Sequence, residues 1–442
     1  MIRYLSFATL SVSLIALPFS IALCHAALIT FLLVWIAEGG WAEKISTIRQ
    51  SLILKLVLAF IALQLIGMLY TEDLSNGWFS LEKKIFLFLI PIAIATSAVK
   101  FNEKEIRLLF YSFVASCLTG ILFCIGHALV QINLYFDGTV SLQAVDYLGA
   151  PGQQVVTSSH APWLFFSYVG LAKGINIHPT YFSLYLAFCI LFLLHESITR
   201  KALTIAQRSA LTFVIVLFSL FIVCLSSRII VICLITIYLA LAGYWLFRQR
   251  SLLRLVGVVA LLALVVVLLY ANPVSRYRNI EEIGNSAFTI REKSHYNSST
   301  EIRASLWWLA WKSYTKSNLL LGVGTGDVTN VMKQTSQQYE ITNVLETYDP
   351  HNQYLFLLIS HGVVGLIIFG LWLLLPFVQA ASRHDYLYMA FSFLFAALCF
   401  TESALELQKG IVFFALVQSL LAFQRQSYQT DKVTLNFSRA GS

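Results

Sequence analysis

Charge is what this sequence has least of. Only 12% of its 442 residues are Asp, Glu, Lys or Arg, against 58% hydrophobic, and mean hydropathy is +0.76. A soluble domain carries roughly 25% charged residues, so half that share over this length excludes a soluble enzyme and leaves an integral membrane protein. Cysteine signals are missing too. The seven cysteines (Cys24, Cys117, Cys124, Cys189, Cys224, Cys233, Cys399) all fall inside apolar runs and none has CxxC spacing, so neither a disulfide framework nor a metal knot is suggested. There is no HExxH, no DxD and no clustered spacing of His and carboxylates, so no metal site and no cofactor are predicted. Nor does any stretch repeat at a fixed period. The two halves are not inverted copies, which counts against a secondary transporter.

What is present is a series of apolar runs. Leu5 to Ala37 is almost wholly apolar, too long for one span of about 20 residues, and Pro18 divides it into a hairpin of two short helices. Arg3 ahead of an apolar stretch and CHA ahead of Ala27 also fit a signal peptide, but the hydrophobicity runs straight on to Trp35. Further spans are predicted at Leu52–Tyr70, Ile85–Val99, Leu108–Val130, from HPTYFSLY to His195, Ala210–Leu225, Ile229–Phe247, Leu255–Tyr270, Leu355–Val378, Tyr386–Phe400 and Ile411–Phe423. The expected fold is therefore an all-α membrane protein of about twelve transmembrane helices. Its divisions are residues 1–271 with nine spans, a long outer loop 272–353 containing short helices, residues 354–425 with three spans, and a tail 426–442. Lys and Arg set the orientation. Lys44, Arg49, Lys100, Lys104, Arg107, Arg200, Lys201, Arg208, Arg248, Arg250, Arg254 and Arg383 fall on one side, while the other holds Lys83, Lys84, Lys173, Arg228 and Lys409. Both termini are thus predicted to be cytoplasmic and the long loop to face outward. The +8 net charge reads as a topology signal and not as a nucleic-acid patch.

The outer loop and its borders hold the residues suited to chemistry. Arg228 lies in a three-residue link, Ser226-Ser227-Arg228, between two strongly apolar runs. An ionisable group at that depth is a functional candidate, and its guanidinium suits phosphate oxygens; a snorkelling interface Arg is the plainer reading. His351 follows Asp349-Pro350 and precedes Asn352, where an apolar helix begins at about Gln353. The helix dipole there disfavours imidazolium, which suits a general base near neutral pH. Asp349 is placed to orient it or to shape a turn. Arg303 opens EIRASLWWLAWKSY, whose apolar and Trp spacing suits an amphipathic interfacial helix. The run Gly322-Val-Gly-Thr-Gly326-Asp327 resembles a phosphate cradle, but no strand precedes it, so a tight turn is expected. His178, ahead of Pro179, is a candidate to line the same cavity. Glu402 and Glu406 flank the last outer turn, as acceptor contacts or as helix-end carboxylates, and His361 is expected to be a buried packing or hydrogen-bonding residue.

GVGTGD, then His351-Asn352 opening HNQYLFLLISHGVVGLIIF, with SSR between two spans and TEIRASLWWLAW ahead of them, resembles the bacterial O-antigen ligase and O-antigen polymerase superfamily. The resemblance extends from the opening hairpin to TESALELQKGI, and HPTYFSLY resembles a recurrent feature of one branch. It departs at His361 in SHGVVG, where many relatives carry an acidic residue. The resemblance implies a multispan, GT-C-like glycosyltransferase in the bacterial inner membrane. Such a protein moves a glycan from an undecaprenyl-diphosphate carrier to an acceptor on the periplasmic face, inverting the anomeric centre without a metal. It implies that Arg228 and Arg303 hold the diphosphate and that His351 activates the acceptor hydroxyl, with His178, Asp349, Asn352 and Glu402 lining the substrate site. Its partners would be the lipid-linked donor, a lipid A-core or glycan acceptor and membrane lipids, with no nucleic acid. A ligase is the leading expectation. A repeat-unit polymerase or a protein O-oligosaccharyltransferase uses the same parts, and a lipid-linked glycan transporter is the rival from another class.

Overall fold

The computed structural model describes residues 1–139, 161–200, 202–249, 252–282, 299–341 and 349–425. Residues 140–160, Lys201, Arg250, Ser251, 283–298 and 342–348 of the expected outer loop, and the tail 426–442 lie outside that set. Among the described residues the protein is all-α, with one isolated bridge, Asn318 to Gly322.

Every stretch predicted to span is helical. The opening hairpin is Ile2–Ala16 and Ile21–Ala37, parted as expected around Pro18. Six helices are long and apolar enough to cross a membrane: Glu103–Phe136, Pro179–Thr199, Ile205–Leu225, Arg228–Phe247, Leu252–Ala271 and Gln353–Ser382. Ile21–Ala37 qualifies together with Trp41–Gln50, but the pair bends by 110° at Gly39 and Gly40, both with φ of 66°. The remaining predicted spans are helices of 12 to 16 residues. At about 1.5 Å per residue they reach roughly 18–24 Å, short of a hydrocarbon core of about 30 Å.

Local signals begin these helices. Ser20, Ser51 and Asp385 accept from backbone N–H groups of the first turn, and Thr204 with Gln207 forms a reciprocal capping box, each satisfying donors that have no partner within the helix.

The chain forms two compact units, Met1–Ser116 with Leu306–Ser442, and Cys117–Ser305. In the first, Gln353–Ser382 packs on Leu52–Gly67 and on Tyr386–Leu398, and Gln408–Ser419 packs on Ile85–Thr96. Aromatic pairs fill the centre, with Phe395 stacked on Phe414 at 4.2 Å between centroids and Trp372 against Phe60 at 5.7 Å. In the second, Pro179–Thr199 is the most deeply buried helix and packs on Ile205–Leu225.

The feature that shapes the first unit is a break in its longest helix. Gly362 adopts φ 61°, ψ −158° inside Gln353–Ser382, a conformation open essentially to glycine alone. The break frees backbone groups in an apolar setting, where each would be costly without a partner. The turn Leu319–Gly324 supplies those partners. Val323 N–H donates to Ile359 O and Gly324 N–H to Ser360 O, both at 2.9 Å, while Val363 N–H donates to Leu319 O at 2.9 Å and Val364 N–H to Leu320 O at 3.3 Å. Glycine permits the approach on both sides. A Cβ on Gly362 would sit 2.7 Å from Leu319 O, and one on Gly322 would sit 2.6 Å from the His361 N.

Gly362→Ala should therefore lower the thermal midpoint of the detergent-solubilised protein, the backbone conformation alone costing about 1–3 kcal/mol. Gly370→Ala, in the same helix with nothing within 4 Å of the added carbon, should stay within about 1 kcal/mol of wild type. Equal melting of the two variants would contradict this account of the break.

Candidate active site

Two polar centres stand out, one in each unit. The first surrounds a cavity of about 330 Å³ lined by Asn76, Ser80, Lys83, Thr325, Gly326, Thr329, Asp349, His351, Glu402, Ser403 and Glu406, with Phe356, Val328 and Leu407 as its apolar wall. His351 Nδ1 lies 3.6 Å from Glu402 Oε2 and 3.7 Å from Asp349 Oδ1. The ring is half-buried and its backbone has φ 44°, left-handed for a residue with a Cβ. Strain of this kind persists where the surroundings over-determine it. Here Asp349 Oδ1 accepts from His351 N at 2.9 Å, and Asn352 Oδ1 caps the long helix by accepting from Tyr354 N and Leu355 N. Gln353 then ties the helix start to the turn that carries Glu402: its N–H donates to Cys399 O at 2.8 Å and its Oε1 accepts from Leu405 N at 2.7 Å. Asn352 thus acts as the cap, while Asp349 and Glu402 flank the imidazole.

Behind this wall sits a buried ion pair. Lys84 Nζ donates to Glu406 Oε2 at 2.8 Å and to Ser80 Oγ at 2.7 Å, and Lys83 Nζ lies 3.9 Å from the same carboxylate. Sequence reasoning placed these two lysines only as charges in a loop. The signal available was their position between two apolar helices, but the partner Glu406 lies more than three hundred residues away.

The glycine-rich run is structural. The N–H groups of Gly322, Val323, Gly324 and Gly326 are all bonded within the protein, the last to Thr71 Oγ1 at 3.0 Å, so they are not a vacant phosphate cradle. Asp327 closes the turn by accepting from Thr71 Oγ1 at 2.7 Å and from Glu72 N and Asp73 N at 2.8 Å. The helix that opens with Arg303 runs Ser299–Lys316. From Leu306 on, its buried side faces the helix Val328–Gln338, with Ser313 Oγ 2.9 Å from Thr335 Oγ1 and Trp308 set edge-on against Tyr339, while Trp311 stays exposed.

The second centre gathers around Arg228. The expected three-residue link is two residues, because Ser226 (φ 52°) ends one helix, Ser227 precedes the next and Arg228 opens it. Its side chain is not a snorkelling one, since it is 14% exposed and committed on three sides. Nε donates to Arg278 O at 2.6 Å, Nη1 to Thr300 Oγ1 at 2.7 Å and Nη2 to Glu282 Oε2. Arg278 and Arg303 act on it electrostatically. Arg278, which sequence reasoning missed, is buried with its guanidinium 3.5 Å from the centre of the Tyr168 ring. His178 caps the helix Pro179–Thr199 through Nδ1, accepting from Thr180 N at 3.3 Å. His361 is fully buried beside the helix break, and neither ring nitrogen has a partner among the described residues.

Residues 213–370 match the family model described as O-Antigen ligase. The match agrees with the resemblance to the O-antigen ligase and O-antigen polymerase superfamily, and the six long apolar helices suit a multi-pass membrane protein. The matched stretch contains Arg228, Arg278, Glu282, Arg303, the glycine-rich turn and His351, whereas Lys83, Lys84, Glu402 and Glu406 lie outside it. No curated protein matches the chain significantly.

Burial pushes the Lys84 ammonium below the ordinary lysine range, and Glu406 opposes that shift. Because the folded value lies below the unfolded one, the unfolded chain binds more protons between the two, and stability rises with pH in that window. Glu406→Gln removes the opposing charge and extends the window toward neutral pH. The variant should lose about 3–5 kcal/mol near pH 7 and recover part of it as the pH approaches about 10. Thermal unfolding across that range checks this, and a flat difference from wild type would rule out Lys84 as the cause.

Proposed function

We propose that the protein is an O-antigen ligase, transferring a glycan from undecaprenyl diphosphate to a lipid A-core sugar on the periplasmic face of the inner membrane. The observation that carries the reading is the imidazole of His351 set between two carboxylates at the wall of a polar cavity. Nδ1 turned toward Asp349 and Glu402 favours the tautomer with its proton there, leaving Nε2 as the base. In the reaction the acceptor hydroxyl oxygen bonds to the anomeric carbon as the bond to the diphosphate oxygen breaks. The hydroxyl proton passes to Nε2, and the electron pair leaves with the diphosphate. Direct displacement inverts the anomeric centre. Charge growing on the leaving group is met by Arg228 and Arg303 rather than by a metal, since guanidinium forks match phosphate oxygens and are worth most where water is excluded. The carboxylates beside His351 stabilise the imidazolium that forms.

Transfer from an undecaprenyl-diphosphate glycan to purified lipid A core, with EDTA present, tests this. His351→Ala should lose about 10²–10⁴-fold in rate while remaining folded, and Arg228→Ala should lose donor use. Lengthened donor chains in place of capped lipid A would replace the ligase by a repeat-unit polymerase. Glycan crossing sealed vesicles without transfer to any acceptor would move the protein to the transporter class.

A further inference from the structure

Among the described residues, Glu282 fills a site built for an anion. Its Oε1 accepts from Ser299 N at 2.6 Å, Ser299 Oγ at 2.7 Å and Thr300 N at 3.3 Å, which are the first groups of the 18-residue helix Ser299–Lys316. Its Oε2 takes the Nη2 of Arg228. A helix N-terminus, a serine hydroxyl and a guanidinium are the donors that proteins present to phosphate. Arg278 lies four residues before Glu282 and contributes a separate sign. It is 5% exposed, and its Nε has no hydrogen-bond partner among the described residues, although a buried donor of this kind is costly to leave unmade. Arg276 is paired with Glu281 at 2.8 Å, while Arg278 and Arg303 act electrostatically on Arg228 together with Glu282.

We propose that Glu282 is a resident counter-ion that a phosphate group of the lipid-linked donor displaces, and that Arg278 is a third arginine of the same anion site. The inference rests on the donor reading above and adds which group of the protein competes with the donor there. A phosphate arriving beside a bound carboxylate meets like charge and finds the Arg228 Nη2 and the helix N–H groups taken. It binds by exchanging with the carboxylate at those donors. The Nε and Nη1 contacts of Arg228, to Arg278 O and Thr300 Oγ1, need not change. Glu282 thus spares the arginines from lying buried without an anion, and sets a threshold that only a more highly charged group passes.

The test is calorimetric binding of farnesyl diphosphate, with farnesol as the uncharged control, to the full chain in detergent. Glu282→Gln keeps an oxygen for Ser299 and removes the competing charge. It should bind the diphosphate about tenfold tighter and give a larger ligand-induced rise in melting temperature than wild type, from a lower starting point. Arg278→Gln should bind about tenfold more weakly, and farnesol should distinguish none of them. A folded Glu282→Gln protein that binds the diphosphate no tighter than wild type would overturn the counter-ion role, leaving Glu282 as a tie between two segments. Arg278→Gln with wild-type affinity would remove Arg278 from the site. Wild-type affinity in Arg228→Ala would instead sink the donor reading itself, whatever Glu282 does.

Discussion

Four backbone hydrogen bonds between Leu319–Gly324 and Ile359–Val364 are the constraint on which the first unit depends. A helix broken in an apolar setting must have its freed groups answered, or the break would not persist. Because the answer comes from the glycine-rich turn, the break fixes more than a bend. It brings Thr325 and Gly326 to the cavity wall and leads through Asp327 into the contact with Thr71, Glu72 and Asp73. His351 stands at the start of the same broken helix. The pose of the imidazole and one wall of its cavity therefore depend on a single backbone seam.

The buried charges follow a similar rule. Lys84 has Glu406 and Ser80, and Arg228 has Glu282, Thr300 and a carbonyl. A buried ion pair adds little to stability compared with a well-packed apolar substitute, yet breaking one is expensive. Both clusters also sit among the groups suited to chemistry: Glu406 lines the cavity with His351, and Glu282 is held by the helix that carries Arg303.

Local pattern made the helices legible. Runs of apolar residues and Pro18 marked element type, and Asn352 before Gln353 marked where the long helix starts. His351, Asp349 and Glu402 stand out in the sequence because helix ends and turns have local signatures, and they line one cavity. What escaped was set by distance along the chain. The Lys84–Glu406 pair joins residues more than three hundred positions apart, and the burial of Arg278 against Tyr168 leaves no trace in either neighbourhood. The glycines of GVGTGD were read as a turn, but their reason, the close approach of a second backbone at Gly362, lies in another helix. Hydropathy likewise located the helices without fixing how many are long enough to cross a bilayer.

The choice of cation in each centre has a physical reason. Lys84 is a compact point charge with three donors, suited to one carboxylate and one hydroxyl in a dry pocket. Arg228 must join three segments at once, and only a planar fork reaches a carbonyl, a hydroxyl and a carboxylate from a single position. Of its five N–H donors, three are engaged by the described residues. Two of those contacts, to a carbonyl and a hydroxyl, hold the guanidinium in place, and the third is to the carboxylate of the proposed exchange. A lysine at 228 would keep the charge but lose the anchoring, so an arriving anion would have to position the cation as well as bind it. With arginine the guanidinium is already oriented, and in the proposed exchange the binding energy would go to replacing one anion by another.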